Sequence, residues 1–226
     1  MNKTICIIPA RKGSKRILGK NKKLFLGKPI IEYIIETCIE SNLFDKIIVA
    51  SDDDDVLKIT KKYAIVENFK RNKKNANDLA PLAEILDEVL SSFNNSLLKD
   101  IEYACCALPT AVFATNDDLI RGFKKLKNSD ADSVATFLKY GYPVQRSSKL
   151  SRDLKVEMLN PEHRWTRTQD LDPVYHDAGQ FYWFRTDQGL KGGNKYGVIL
   201  KNQFAVDIDE PEDWLVAEQL YKIIKK

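Results

Sequence analysis

The run Thr4, Ile5, Cys6, Ile7 and Ile8 is apolar at every position after the first and shows no alternation. A strand with water on one face would alternate, so this pattern marks a strand buried on both faces, as at the centre of a parallel sheet. The same signature recurs at residues 46–50, at 101–108 and, more weakly, at 132–138. Between these runs the period changes. Pro29 opens a helical pattern with Ile30, Ile31, Ile34, Ile35 and Ile39 on one face, and further helices are predicted near 56–63, 82–93 and 116–126. Strand–helix alternation predicts an α/β fold, a doubly wound and mostly parallel sheet with right-handed crossovers. Ligands in such sheets bind beyond the carboxyl ends of the strands.

At 226 residues the chain is expected to form a single domain over 1–226. The alternation fails at about 139–177, where charged and aromatic residues mix without a sustained period. This stretch reads as an insertion that reaches over the active cleft as a lid or joins a second subunit. Strands are predicted to resume at 180–184, 197–200 and 204–206, before a final helix at 211–224. The first apolar run is too short for a signal sequence, and no window approaches the roughly 18 apolar residues of a membrane span. The four cysteines (Cys6, Cys38, Cys105, Cys106) lack metal-binding spacing, so buried reduced thiols in a cytoplasmic protein are expected.

The charge is concentrated. The formal net charge is only +4, yet eight basic and no acidic residues fall between Arg11 and Lys28. The rest of the chain therefore carries an acidic excess, which argues against a nucleic-acid coat. The basic segment follows the first buried strand, where glycines admit an anion and cations neutralise it. It is not a Walker A loop: five residues separate Gly13 from Gly19 rather than four, and Asn21 replaces the magnesium-holding Ser or Thr. Arg11, Lys15, Arg16 and Lys20 are its candidate phosphate cations; a solvated basic loop is the plainer alternative.

Two acidic groups invite a metal reading. Asp52, Asp53, Asp54 and Asp55 precede a helix, where carboxylates cap free amides and meet the positive end of the dipole. Capping is the expected role. Asp207 and Asp209 differ: residues two apart in an extended chain project to one side, so both carboxylates can reach one Mg2+ while Ile208 packs behind. The competing reading makes Asp209 the cap of the following helix.

Several segments together resemble a known family. Ile8-Pro9-Ala10-Arg11, Gly13-Ser14-Lys15-Arg16-Ile17 and Gly19-Lys20-Asn21 are similar to the signature loop of the cytidylyltransferases that activate nonulosonic acids, the sialic acid synthetase family. The likeness continues through Gly27-Lys28-Pro29-Ile30, Ile48-Val49-Ala50-Ser51-Asp52-Asp53, Leu108-Pro109-Thr110-Ala111, Asp207-Ile208-Asp209 and Pro211-Glu212-Asp213-Trp214. Thr166-Arg167-Thr168-Gln169-Asp170-Leu171 and Tyr175-His176-Asp177-Ala178-Gly179-Gln180-Phe181-Tyr182-Trp183 resemble the branch that acts on pseudaminic acid.

The resemblance implies a Rossmann-like sheet of the nucleotide-diphospho-sugar transferase type and transfer of CMP from CTP to an acidic nine-carbon sugar, with release of pyrophosphate. It implies magnesium, a cytoplasmic homodimer joined through residues 139–177, and neither nucleic acid nor membrane as partner. Arg11, Lys20, Asp207 and Asp209 are the implied catalytic residues, the two aspartates holding metal. Ala10, Arg11, Gly13, Ser14, Lys15, Lys20, Asn21 and Arg71 are the implied CTP contacts. Arg146, Arg164, Arg167, Gln169, His176, Gln180, Phe181 and Tyr182 are the candidate sugar contacts, since arginine forks hold carboxylates and aromatic faces pack on methyl groups. Trp183 and Phe184 are expected in the core. Four positions depart from the family: Leu108 stands for Gln, Ala80 and Leu82 stand for hydroxyl residues, and Glu210 stands for Thr. Main-chain groups would then select cytosine. The alternatives are transfer to sialic or legionaminic acid, or an inactive nucleotide-binding module.

Overall fold

The computed structural model describes residues 3–72, 81–94, 101–200 and 205–224. Its strands are β1 (Lys3–Pro9), β2 (Lys46–Ser51), β3 (Val66–Lys70), β4 (Ile101–Ala107), β5 (Ser133–Lys139), β6 (Tyr175–Arg185) and β7 (Lys195–Ile199). They form one sheet in the order β7-β5-β6-β4-β1-β2-β3. β6 runs antiparallel to both of its neighbours, and the remaining pairs are parallel. The helices are α1 (Ile30–Glu40), α2 (Asp54–Thr60), α3 (Leu82–Asn94), α4 (Asn116–Lys127) and α5 (Pro211–Ile224). The doubly wound, mostly parallel α/β sheet expected from the alternation is the fold observed.

The continuous apolar runs are explained by two-sided burial. Ile5, Cys6, Ile7 and Ile8 are all fully buried. Cys6 and Ile8 face a cluster with Ile31, Ile34 and Ile35 of α1, Leu119 of α4, and Phe181 and Trp183 of β6. Ile5 and Ile7 face the other way, against Leu86, Val89, Leu90 and Phe93 of α3. All four cysteines are free and buried, as expected.

The sequence order reverses at β1: β2 and β3 lie on one side of it, β4 on the other. A crevice opens at such a switch point, beyond the carboxyl ends of the two central strands. Because β6 is antiparallel, its first residues lie at that same end. A third apolar cluster, with Ile17, Phe25, Ile30, Ile208 and Trp214, packs beneath the crevice and holds the N-terminal loop against the C-terminal segment.

The structure departs from the expected boundaries in three places. β3 has mixed polarity and half-buried side chains because it is an edge strand, so it lacks the two-sided apolar signature. β6 begins at Tyr175, inside the expected insertion, and pairs Tyr175 with Lys139 and Asp177 with Phe137. Ala205 and Val206 form no strand, and Phe204 lies outside the described residues. Residues 140–174 contain short turns and a small hairpin, Ser148–Leu150 with Val156–Met158. Tyr142, Leu154 and Trp165 there are mostly exposed.

Candidate active site

The basic loop leaves β1 and is fastened to the sheet by its backbone. Ala10 donates its amide to the Ala50 carbonyl at 2.9 Å and accepts from Ser51 Oγ at 2.5 Å, and the Lys12 amide donates to Asp52 Oδ1 at 2.7 Å. Asn21 Nδ2 donates to the Arg11 carbonyl at 2.9 Å, drawing the end of the loop back to its beginning. Gly19, with φ of 62°, supplies the left-handed turn this return needs. Gly13 does not have a positive φ, so its expected conformational role falls to Gly19. Ile17 is buried among apolar side chains, which leaves the neighbouring cations pointing outward.

The acid pair adopts the arrangement read from its spacing. Asp207 and Asp209 both line the crevice, while Ile208 between them is fully buried. The helix cap is not Asp209: the Asp213 carboxylate reaches back to the Asp209 and Glu210 amides at 3.0 and 2.7 Å. Asp209 is thereby released to the loop. Lys20 Nζ donates to the Ile208 carbonyl at 2.9 Å and to Asp209 Oδ1 at 3.2 Å. Arg16 pairs with Asp209 at 2.8 Å and with Glu210 at 2.9 Å.

The two ends of the chain therefore face each other across a cavity of about 540 Å³. Arg11, Ser14, Lys15, Arg16, Lys20 and Asn21 line one side, Asp207 and Asp209 another, and Leu108, Pro109 and Thr110 after β4 the floor between. Its electrostatics split the acid pair. Loss of water, then the neighbouring Asp209, raises the Asp207 pKa above the ordinary carboxylate value, with Lys20 opposing. Burial acts upward on Asp209 as well, but its bonds to Lys20 and Arg16 outweigh it and the pKa is lowered. The bond to Glu210, then that to Asp209, raises the Arg16 pKa.

The remaining sequence candidates fall elsewhere. Ala10 is buried and contributes backbone only. Arg71 is buried beside Asp52, Glu88 and Arg11, behind the cavity wall; burial lowers its pKa. Arg146, Arg164, Arg167 and Gln169 are exposed on the 140–174 segment, outside this cavity, and Arg167 pairs with Asp170 at 2.8 Å. None of the described residues that line the crevice belongs to that segment. His176 hydrogen-bonds the Asp177 carbonyl at 2.8 Å and lies against the Tyr140 ring in a tilted contact, the centroids 4.8 Å apart. Phe181 is fully buried against α1 and α4, because its strand parity turns it from the crevice into the core. Gln180 is also buried, with Nε2 donating to the Ala178 and Gly179 carbonyls. Tyr182 opens onto a second cavity of about 380 Å³, walled by Ala135, Phe137, Leu190 and Tyr196 and edged by Asp177. Ala80 lies outside the described residues.

The four consecutive aspartates are caps and ion-pair partners. Asp53 caps α2, Lys22 pairs with Asp53 and Asp55, and Lys70 with Asp54. Residues missed in the sequence reading are Pro9, Pro109 and Thr110, which present no charge, and Glu210, whose role is visible only once Arg16 is placed beside it. Among the described residues no helix is long and apolar enough to cross a membrane.

The chain is similar to known proteins in sequence and in fold. The chain is 34% identical over 230 residues to a pseudaminic acid cytidylyltransferase of Campylobacter jejuni subsp. jejuni, covering 98% of this chain and 97% of that one. It is 26% identical to a CMP-N,N'-diacetyllegionaminic acid synthase of Legionella pneumophila, covering 97% and 96% of the two chains. In fold it matches a CMP:2-keto-3-deoxy-manno-octonic acid synthetase complexed with CTP, with TM-score 0.69 and 14% identity over 98% of this chain and 99% of that one. The family model described as Cytidylyltransferase matches residues 5–196, and with these relatives it establishes that the chain belongs to the cytidylyltransferase family.

Proposed function

We propose that this cytidylyltransferase transfers CMP from CTP to pseudaminic acid, giving CMP-pseudaminic acid and pyrophosphate. The observation that carries the reading is the shared cavity, in which the basic loop after β1 faces the Asp207–Asp209 pair at the switch point of the sheet. The choice of sugar rests on the full-length similarity to a pseudaminic acid cytidylyltransferase.

In this reaction a sugar hydroxyl oxygen bonds to the α-phosphorus, the bond to the β-phosphate oxygen breaks, and the hydroxyl proton is released. Negative charge grows on phosphate oxygens, so the protein contributes position and fixed opposite charge. Arg11, Lys15 and Lys20 bind the triphosphate, and Asn21 keeps their loop closed. The carboxylates of Asp207 and Asp209 line one wall of the cavity, and two oxygen donors on an extended segment fit a divalent cation; burial, then Asp209, raises the Asp207 pKa, with Lys20 opposing. Asp207 would hold Mg2+ with Asp209 beside it, and the ion's chemistry is to neutralise phosphate charge. The apolar cavity beside Tyr182 suits the methyl groups of an acetamido or 6-deoxy sugar.

The exposed apolar residues of the 140–174 segment, Tyr142, Leu154 and Trp165 among them, support a homodimer built through it, bringing Arg146, Arg164 and Arg167 toward a neighbouring site. Four free buried thiols suit a cytoplasmic protein. The test is pyrophosphate release from CTP and Mg2+ with pseudaminic, legionaminic and sialic acids in turn. Release is expected with the first at the highest kcat/KM; a preference for sialic acid overturns the assignment. Light scattering that returns a 25.9 kDa particle at assay concentration overturns the dimer.

A further inference from the structure

We infer that Asp177 is a positioning residue for Asp207, acting through a bulge in β6. The inference rests on the reading of Asp207 as the acid that works on the triphosphate. On its β5 side, β6 pairs Asp177 with Phe137 and next Tyr182 with Ala135, so five steps along β6 pass two along β5. The extra residues are displaced at the end of the sheet where the crevice opens. Bulges of this kind re-aim chain beside active sites.

Four hydrogen bonds fix the displaced chain. Asp177 Oδ1 accepts from the Gly179 amide at 2.8 Å and from Tyr182 Oη at 3.0 Å, so one oxygen ties both ends of the bulge. Gln180 Nε2 fastens the carbonyls of Ala178 and Gly179 from within the core. Gly179 is left with φ of 58°, and a Cβ built there would lie 3.2 Å from Asp207 Oδ2 and 3.3 Å from its Cγ. The Gly179 backbone is thus the wall on which the Asp207 carboxylate rests. Releasing Asp177 frees that wall, and Asp207 loses its fixed place in the cavity.

A carboxylate is not required for this work. An asparagine keeps the accepting oxygen, whereas a negative charge used directly on the cation or substrate would be lost with it. Asp177→Ala is expected to lower kcat at least tenfold with the KM for CTP within threefold of the parent, and Asp177→Asn to restore kcat to within threefold. The second readout needs no turnover: the Mg2+-dependent part of the CTP-induced rise in melting temperature is lost in Asp177→Ala and kept in Asp177→Asn. If Asp177→Ala does not fold, Tyr182→Phe removes one of the two donors and is expected to lower kcat about threefold without moving the KM for CTP. Asp177→Ala with parental kcat, or Asp177→Asn as impaired as Asp177→Ala, overturns the inference. A failure of the sugar assignment is separate, since it shows in the unmodified protein as no pyrophosphate from pseudaminic acid.

Discussion

Replacing Lys20 with Gln tests whether the loop and the acid pair work as one unit. Lys20 Nζ lies within hydrogen-bond reach of the Ile208 carbonyl and of Asp209, and its side chain is only 19% exposed. A hydrogen bond with one charged partner contributes about 1.5–3 kcal/mol to stability, and a neutral one about 1. Gln keeps a neutral donor but loses the charge, and the half-exposed pair with Asp209 adds at most about 1 kcal/mol. The net loss is therefore about 1–2 kcal/mol, which lowers the melting temperature of a chain this size by about 2–8 °C. The catalytic loss is larger. A preorganised donor facing charge that develops in the transition state is worth about 10²–10³ in kcat. Initial-rate pyrophosphate release across CTP concentrations, with thermal melting alongside, separates the two. A variant that raises KM tenfold with unchanged kcat would mean that Lys20 binds CTP and its transition state equally, and the placement of Lys20 at the reacting phosphate would be refuted.

Asp207→Asn is expected to cost at least hundredfold in turnover while leaving the fold intact. Because the fold raises the Asp207 pKa, the folded state binds this proton more tightly than the unfolded one. Its contribution to stability is full below the ordinary carboxylate pKa of about 3.9 and is lost as pH rises through the folded value. At pH 7, without CTP or metal, the Asn variant should melt at or above the parent, with the difference fading toward about pH 3; a variant that melts lower only at neutral pH contradicts this. Glu210→Thr removes one partner of Arg16 and should lower the KM for CTP at low ionic strength, the effect shrinking toward about 1 M salt; an unchanged KM at low salt counts against a competing ion pair. Gly122→Ala places a Cβ 2.7 Å from Trp183 Cδ1 and 3.0 Å from Phe181 Cε2. Overpacking of about 1–3 kcal/mol, offset by about 1 kcal/mol of helix propensity, leaves a loss of about 0–2 kcal/mol with kcat unchanged. A higher melting temperature would show that the Trp183 ring yields freely.

The central strands and long helices were legible because two-sided burial and helical amphipathicity each impose a period that few other structures share. β3 was not, since an edge strand buries neither face fully and Val66, Glu67 and Asn68 alternate in no useful way. The loop cations and the acid pair were legible by a different route: charge placed next to a buried strand, and carboxylates separated by one apolar residue. Phe181 and Gln180, named as sugar contacts from the resemblance, are both buried, Phe181 in the core cluster with α1 and α4 and Gln180 on the carbonyls of Ala178 and Gly179. A bulge has no periodic signature, and here it decides which side chains meet the cavities. The 140–174 segment stayed opaque for the opposite reason. Its apolar side chains are exposed in a single chain, so no period can relate them to a core they do not join.

Asp207 and Asp209 began as equivalent residues in the sequence, and the fold makes them unlike. Ile208 anchors both in the cluster that also buries Ile17, so the loop and the acid segment cannot move apart without exposing apolar surface. Within that constraint Asp209 meets Lys20 and Arg16, and its charge is offset inside the protein. Asp207 lies beside Gly179 and near Asp209, and burial and that neighbour raise its pKa more than Lys20 lowers it. Where two titratable groups are driven apart by their surroundings, their tasks separate as well. Asp209 holds the cationic loop to the acid segment through Lys20 and Arg16, and Asp207 is the carboxylate left to the proposed cation. The loop and the acid segment, far apart in sequence, meet at one crevice because β1 sits at the switch point that both border.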